Sequence, residues 1–145
     1  MSEKRLPAQL CQFRLMLVWL IGGGGILVML FILTLNNVYG PADKTVWNWF
    51  APFVVPTVAL MLGVVGANAT RDPSEDSERT VDKAFYRIAM GFSAAYLAAL
   101  LFVVAASVSE TDVKGLEQLL ERTSLYITGA QGLVGIILGV FFVKG

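Results

Sequence analysis

The sequence predicts an all-α membrane protein, a four-transmembrane-helix bundle with both termini cytoplasmic. Three observations carry that reading. The chain is 56% hydrophobic and only 15% charged, with a mean hydropathy of +0.67, a balance that belongs to membrane proteins rather than soluble domains. Four windows, 13–35, 46–67, 85–107 and 124–143, supply the roughly 20 apolar residues that a span needs. The basic residues between those windows are unevenly divided. Lys4, Arg5, Arg14, Arg71, Arg79, Lys83, Arg87 and Lys144 fall on one side, whereas only Lys44, Lys114 and Arg122 fall on the other. By the positive-inside rule the first side is cytoplasmic. The four spans leave room for no soluble domain, so residues 1–145 read as a single integral membrane domain, expected in the plasma (inner) membrane.

The first span follows MSEKRLPAQLCQFR, basic residues ahead of an apolar run, as in a signal peptide. The run is longer than a signal core, and no small-residue cleavage site precedes NNVYG, so it reads as a span. At its centre stand Gly22, Gly23, Gly24 and Gly25. Successive helical residues advance by about 100°, so four glycines thin the helix nearly all the way round. Unwinding in lipid would strand backbone groups at several kcal/mol each, so the helix is expected to persist. Either neighbours grip a waist from more than one side, or the glycines form a hinge lining a cavity. Close helix approach, the commoner use of membrane glycine, favours the waist.

The second span contains Pro52 and Pro56. With a helix starting near Trp49, Pro52 falls in the first turn at little cost, whereas Pro56 removes a backbone donor and crowds the carbonyl of Pro52. A kink is expected there. Ala59, Gly63 and Gly66 form a loose small-residue row. Asn68-Ala69-Thr70 spells a glycosylation sequon but falls on the cytoplasmic side, where it is not used.

Ahead of the third span, Asp72, Pro73 and Glu75 have the arrangement of N-cap, first helical residue and N3. Val81, Ala84, Phe85 and Ile88 then repeat at helical spacing, so the third helix is expected to begin some turns before the membrane. Within it Gly91, Ala95 and Ala99 repeat every four residues. Ser109 and Asp112 make another start signal, followed by Val113, Leu116, Leu119 and Leu120 along one face. The expected product is a short amphipathic helix that either lies on the outer surface or extends the fourth span outward.

The fourth span carries the strongest pattern in the chain. Thr128, Gly132, Gly135 and Gly139 fall at i, i+4, i+7 and i+11 on one face, with Gly135 and Gly139 forming a G-x-x-x-G pair. Such stripes let helix backbones approach closely in lipid. A tightly packed bundle would use the small residues of all four spans. Aromatic residues fall where interfaces should lie: Tyr39, Trp47, Trp49 and Tyr126 outside, Phe13, Phe85, Tyr86, Phe141 and Phe142 inside.

Function is less legible. Eleven basic and eleven acidic residues cancel, giving no excess to attract nucleic acid. With Cys11 alone and no histidine, there is no disulfide within the chain, no Cys/His zinc site and no Ser-His or Cys-His pair. No catalytic residue, cofactor site or metal site is expected, and an enzyme is the weakest reading. No carboxylate enters a span core, as coupled transport would require. The remaining polar side chains there are Thr57, Ser93, Tyr96, Thr128 and Gln131. Gln131 is expected to make an interhelical hydrogen bond, with pore lining second for Thr128 and Gln131. On the outer side five acidic residues face three basic ones, and Glu117 and Glu121 would form an acidic ring at a pore mouth or simply keep an amphipathic helix solvated. The functional expectation is an oligomeric, channel-like or membrane-permeabilising subunit in the lipid bilayer. The alternative is a non-catalytic accessory subunit of a larger membrane complex.

Overall fold

A computed structural model of the chain describes residues 5–70 and 80–144. Four helices dominate it: α1 (Ala8–Leu35), α2 (Asp43–Ala69), α3 (Lys83–Val108) and α4 (Val113–Lys144). Each is long and apolar enough to cross a membrane. At 1.5 Å per residue, a helix of α1's length reaches ~42 Å, more than the ~30 Å of a hydrocarbon core.

Helix α1 persists through all four glycines without a break. It ends in a Schellman arrangement: Val38 N–H donates to Leu33 O (3.1 Å) and Asn37 N–H to Thr34 O (2.9 Å). Asn37 takes the left-handed backbone, φ 55°, that this motif requires and that asparagine tolerates. A 3-10 turn, Gly40–Ala42, then leads straight into α2.

The start of α2 corrects an expectation. The helix begins at Asp43, ahead of the apolar window, because a polar first turn is no obstacle to helix formation. Both Pro52 and Pro56 are therefore interior, and α2 runs through them as one helix.

The start of α3 is a second correction. Val81 is not helical: Thr80–Asp82 (β2) pairs antiparallel with Arg5–Pro7 (β1), in the register Arg5↔Asp82, Leu6↔Val81 and Pro7↔Thr80. Helix α3 begins only at Lys83, where the Asp82 side chain caps it by accepting from Ala84 N–H at 2.8 Å. Asp72, Pro73, Glu75 and Arg79, which carried the earlier start signal, lie outside the described residues. On the opposite connection, Ser109 is the C-cap of α3 rather than a start. The amphipathic segment forms the first turns of α4 itself, with Leu116 and Leu120 buried and Val113 exposed.

The helices form a ring in the order α1, α3, α4, α2. Long side chains cross the diagonals: Tyr96 Oη donates to Phe53 O (3.3 Å), and Gln12 Nε2 to Phe141 O (3.5 Å). Trp19, Leu15, Leu30, Met61, Leu100 and Leu138 fill the axis, all essentially without solvent exposure. The end bearing β1 and β2 carries an aromatic cluster of Phe85, Tyr86, Phe141 and Phe142. The other end, where α1 joins α2 and α3 joins α4, is tied by polar bonds. Tyr39 Oη and Ser107 Oγ lie 2.9 Å apart, Trp47 Nε1 donates to Thr34 Oγ1 (3.0 Å), and Trp49 Nε1 donates to Leu120 O (3.0 Å). Trp47 and Trp49 are therefore tied into the bundle, whereas Tyr126 stays 77% exposed.

Candidate functional site

The small residues do not share one job. A Cβ built on Gly22 would stand 2.7 Å from Leu97 Cδ1 of α3, and one on Gly23 would stand 3.1 Å from Val54 Cγ1 of α2. Two neighbours thus approach α1 from different sides. Gly24 and Gly25 have nothing within 4 Å of such an atom, and the same holds for Gly63, Gly91, Gly132, Gly135 and Gly139. Ala95 is exposed. The expectation that the bundle's own packing uses every small stripe is corrected: among the glycines of the described stripes, only Gly22 and Gly23 would bring a Cβ within 4 Å of a side chain on another helix. The ring order brings the other faces out from between the helices.

The α4 stripe opens onto a groove. Pro56, Thr57 and Leu60 of α2 form one wall of a hollow of about 400 Å³, and Thr128, Gln131, Gly132 and Gly135 form the other. Thr128 also lines a wider hollow of about 530 Å³ toward the loop end, beside Thr45, Trp49, Glu117, Glu121 and Ser124. Glu117, Glu121, Thr128 and Gln131 therefore border one α2/α4 face.

Gln131 has a definite task there. Its Nε2 donates to the carbonyl of Pro52 at 3.0 Å. In a regular helix the residue four positions on supplies that donor, but here it is Pro56, which has none. The side chain of α4 thus replaces the hydrogen bond that the proline of α2 removes. The same residue lines the groove.

At the loop end, burial raises the Tyr39 hydroxyl above its ordinary pKa, the Ser107 hydrogen bond opposes this, and the Asp43 carboxylate adds to it. Tyr39 therefore stays protonated at neutral pH and holds the α1–α2 turn against α3. Among the described residues no three of Asp, Glu and Cys converge to hold a metal.

Sequence reasoning overlooked Trp19, a fully buried indole in the first span, packed in a tilted arrangement against Tyr96 with ring centroids 5.7 Å apart. Its Nε1, like Ser93 Oγ, is buried without a hydrogen-bond partner among the described residues. The signal available was a tryptophan far from either expected interface, where aromatic anchoring cannot explain it.

Fold and face together define a four-helix bundle, suited by length and apolarity to a membrane, with a polar-edged groove between α2 and α4. No family model, curated protein or solved structure matches the chain.

Proposed function

We propose that the chain is a laterally assembling, channel-like membrane subunit whose protomers meet through the α2/α4 groove. The observation that carries this is the outward direction of the Thr128/Gly132/Gly135/Gly139 stripe, where no side chain of the same protomer fills the space beside the glycines. Small residues stabilise a membrane helix contact by letting backbones approach, and a face left open within one chain is available to a second copy. Thr57 and Thr128 on that face are polar groups better matched to a protein contact than to lipid tails.

Conduction, in this reading, runs between protomers, since large side chains close the axis of the single bundle. Glu117 and Glu121 stand at the loop-end mouth of the groove, where repeated carboxylates favour cations. Reconstitution into liposomes tests this. Cation-selective current is expected, and Glu117→Gln with Glu121→Gln should shift its reversal potential toward the anion side, more at low ionic strength. Assembled protein that passes no ions would leave the accessory-subunit reading in its place.

The eight-to-three division of basic residues supports cytoplasmic termini in a plasma (inner) membrane. Cys11 is buried and makes a poor reporter of sidedness. In a Cys11→Ser background, Lys114→Cys is expected to react with a membrane-impermeant thiol reagent in intact cells. Protection of that cysteine until the cells are lysed would invert the orientation.

A further inference from the structure

We infer that a second copy of the chain meets the α2/α4 face with the same helix, so that two α4 helices lie side by side, parallel and related by a two-fold axis along the bilayer normal. This rests on the assembly reading and specifies its partner surface. The outward row of α4 is longer than its glycines. From Gln118 and Glu121 through Leu125 and Thr128 to Gly132, Gly135 and Gly139, positions advance by alternating steps of three and four residues. That is a heptad repeat, and a contact row recurring every 3.5 residues stays against a second helix when the two cross at a shallow left-handed angle of about 20°.

The bundle's own contacts use a different row of α4. Leu116, Leu120, Ile127, Val134 and Leu138 are buried inside the protomer, whereas the heptad row is exposed from Gln118 to Gly135. Charge says what covers it. Two copies inserted the same way align α4 in parallel, and in a parallel pair the flanking position g of one strand faces position e of the other, five residues further on. Here Glu117 holds g and Arg122 holds e. Each Glu117 therefore faces the partner's Arg122, twice in every pair, and Glu121 on the row itself adjoins the same guanidinium.

The same register accounts for the second hollow. Two heptads along, it sets the partner's Ile136, which is 67% exposed in the protomer, against Gln131. Glu117 borders the hollow of about 530 Å³ and Gln131 the one of about 400 Å³, so one alignment brings a cation to the acidic hollow and an alkyl side chain to the hollow within the span. A head-to-tail contact, with α4 of one copy on the exposed Gly91 and Ala95 face of α3, lacks this match. The basic residues of α3, Lys83 and Arg87, lie in its first turns, at the end of the bundle away from Glu117 and Glu121.

Single cysteines in a Cys11→Ser background read the symmetry, because a residue beside a two-fold axis meets its own copy. Leu125 and Tyr126 are adjacent and equally exposed in the protomer, at 76% and 77%, but only Leu125 is on the row. Oxidation in liposomes should link Leu125→Cys and Thr128→Cys into covalent dimers and leave Tyr126→Cys and Leu133→Cys unlinked. Arg122→Glu and Glu117→Arg, each alone, should raise the dimer dissociation constant, followed by energy transfer between labelled copies, by roughly two- to thirtyfold, the loss of two exposed ion pairs. Mixing the two variants re-forms both pairs and should return the wild-type value. Equal linking at Leu125→Cys and Tyr126→Cys, or linking of Thr128→Cys to Ala95→Cys in a mixed sample without self-linking of either, would overturn the two-fold pair while the assembly reading stands; a wild-type particle of one protomer would overturn both.

Discussion

Gly22 and Gly23 differ by one position and touch different helices, Leu97 of α3 and Val54 of α2. This is the two-sided approach that a thinned helix permits, and the 100° step between consecutive residues produces it. That step was legible in the sequence. Which two glycines would meet neighbours was not, because it depends on where α2 and α3 stand around α1. The consequence is measurable: Gly23→Val should lower stability by about 1–3 kcal/mol, as overpacking does, because the β-branched Val54 has little freedom to retreat. Gly25→Ala meets open space and gains helix propensity, so it should be neutral or slightly stabilising, by up to about 1 kcal/mol. Thermal unfolding in detergent, followed by circular dichroism, distinguishes the two variants.

At the scale of elements, α2 shows how a local defect is repaired from a distance. That Pro56 strips the Pro52 carbonyl of its donor, and that Gln131 seeks an interhelical bond, could each be read from composition and position. Their pairing could not, since 79 positions separate Gln131 from Pro52 and only the fold brings them together. The start of α3 failed for a related reason: Val81 fits a helical repeat, but pairing with Leu6, far away in sequence, draws it into a strand. Apolar windows also misplaced the start of α2, because Asp43, Lys44 and Thr45 lower hydropathy without opposing helix. The repair predicts a coupling. Gln131→Leu alone should cost about 1–3 kcal/mol by leaving the Pro52 carbonyl, on an apolar stretch of helix, without a donor. In a Pro56→Ala background the restored backbone N–H takes that carbonyl, so the same change should cost much less. A double-mutant cycle on thermal stability reads the difference, and equal losses in both backgrounds would contradict the account.

For the molecule as a whole, the four apolar windows were plain from hydropathy alone, and each falls within one helix that runs beyond it. The ring order was not plain, because the small-residue rows of the second, third and fourth spans look alike on a helical wheel whether they face a neighbour in the bundle or the outside. The structure turns the α4 row outward, and the reading of the chain as an assembling subunit rests on that direction. Counting protomers per particle by native mass spectrometry of protein released from lipid nanodiscs addresses it most directly. The wild-type chain is expected at a single multiple of its own mass, with Gly135→Leu and Gly139→Leu each shifting it toward one protomer, while leucine at Ile136, on an exposed position beside the stripe, leaves it assembled. A wild-type particle of one protomer across lipid-to-protein ratios, or an assembly indifferent to leucine at both glycines, would contradict the account.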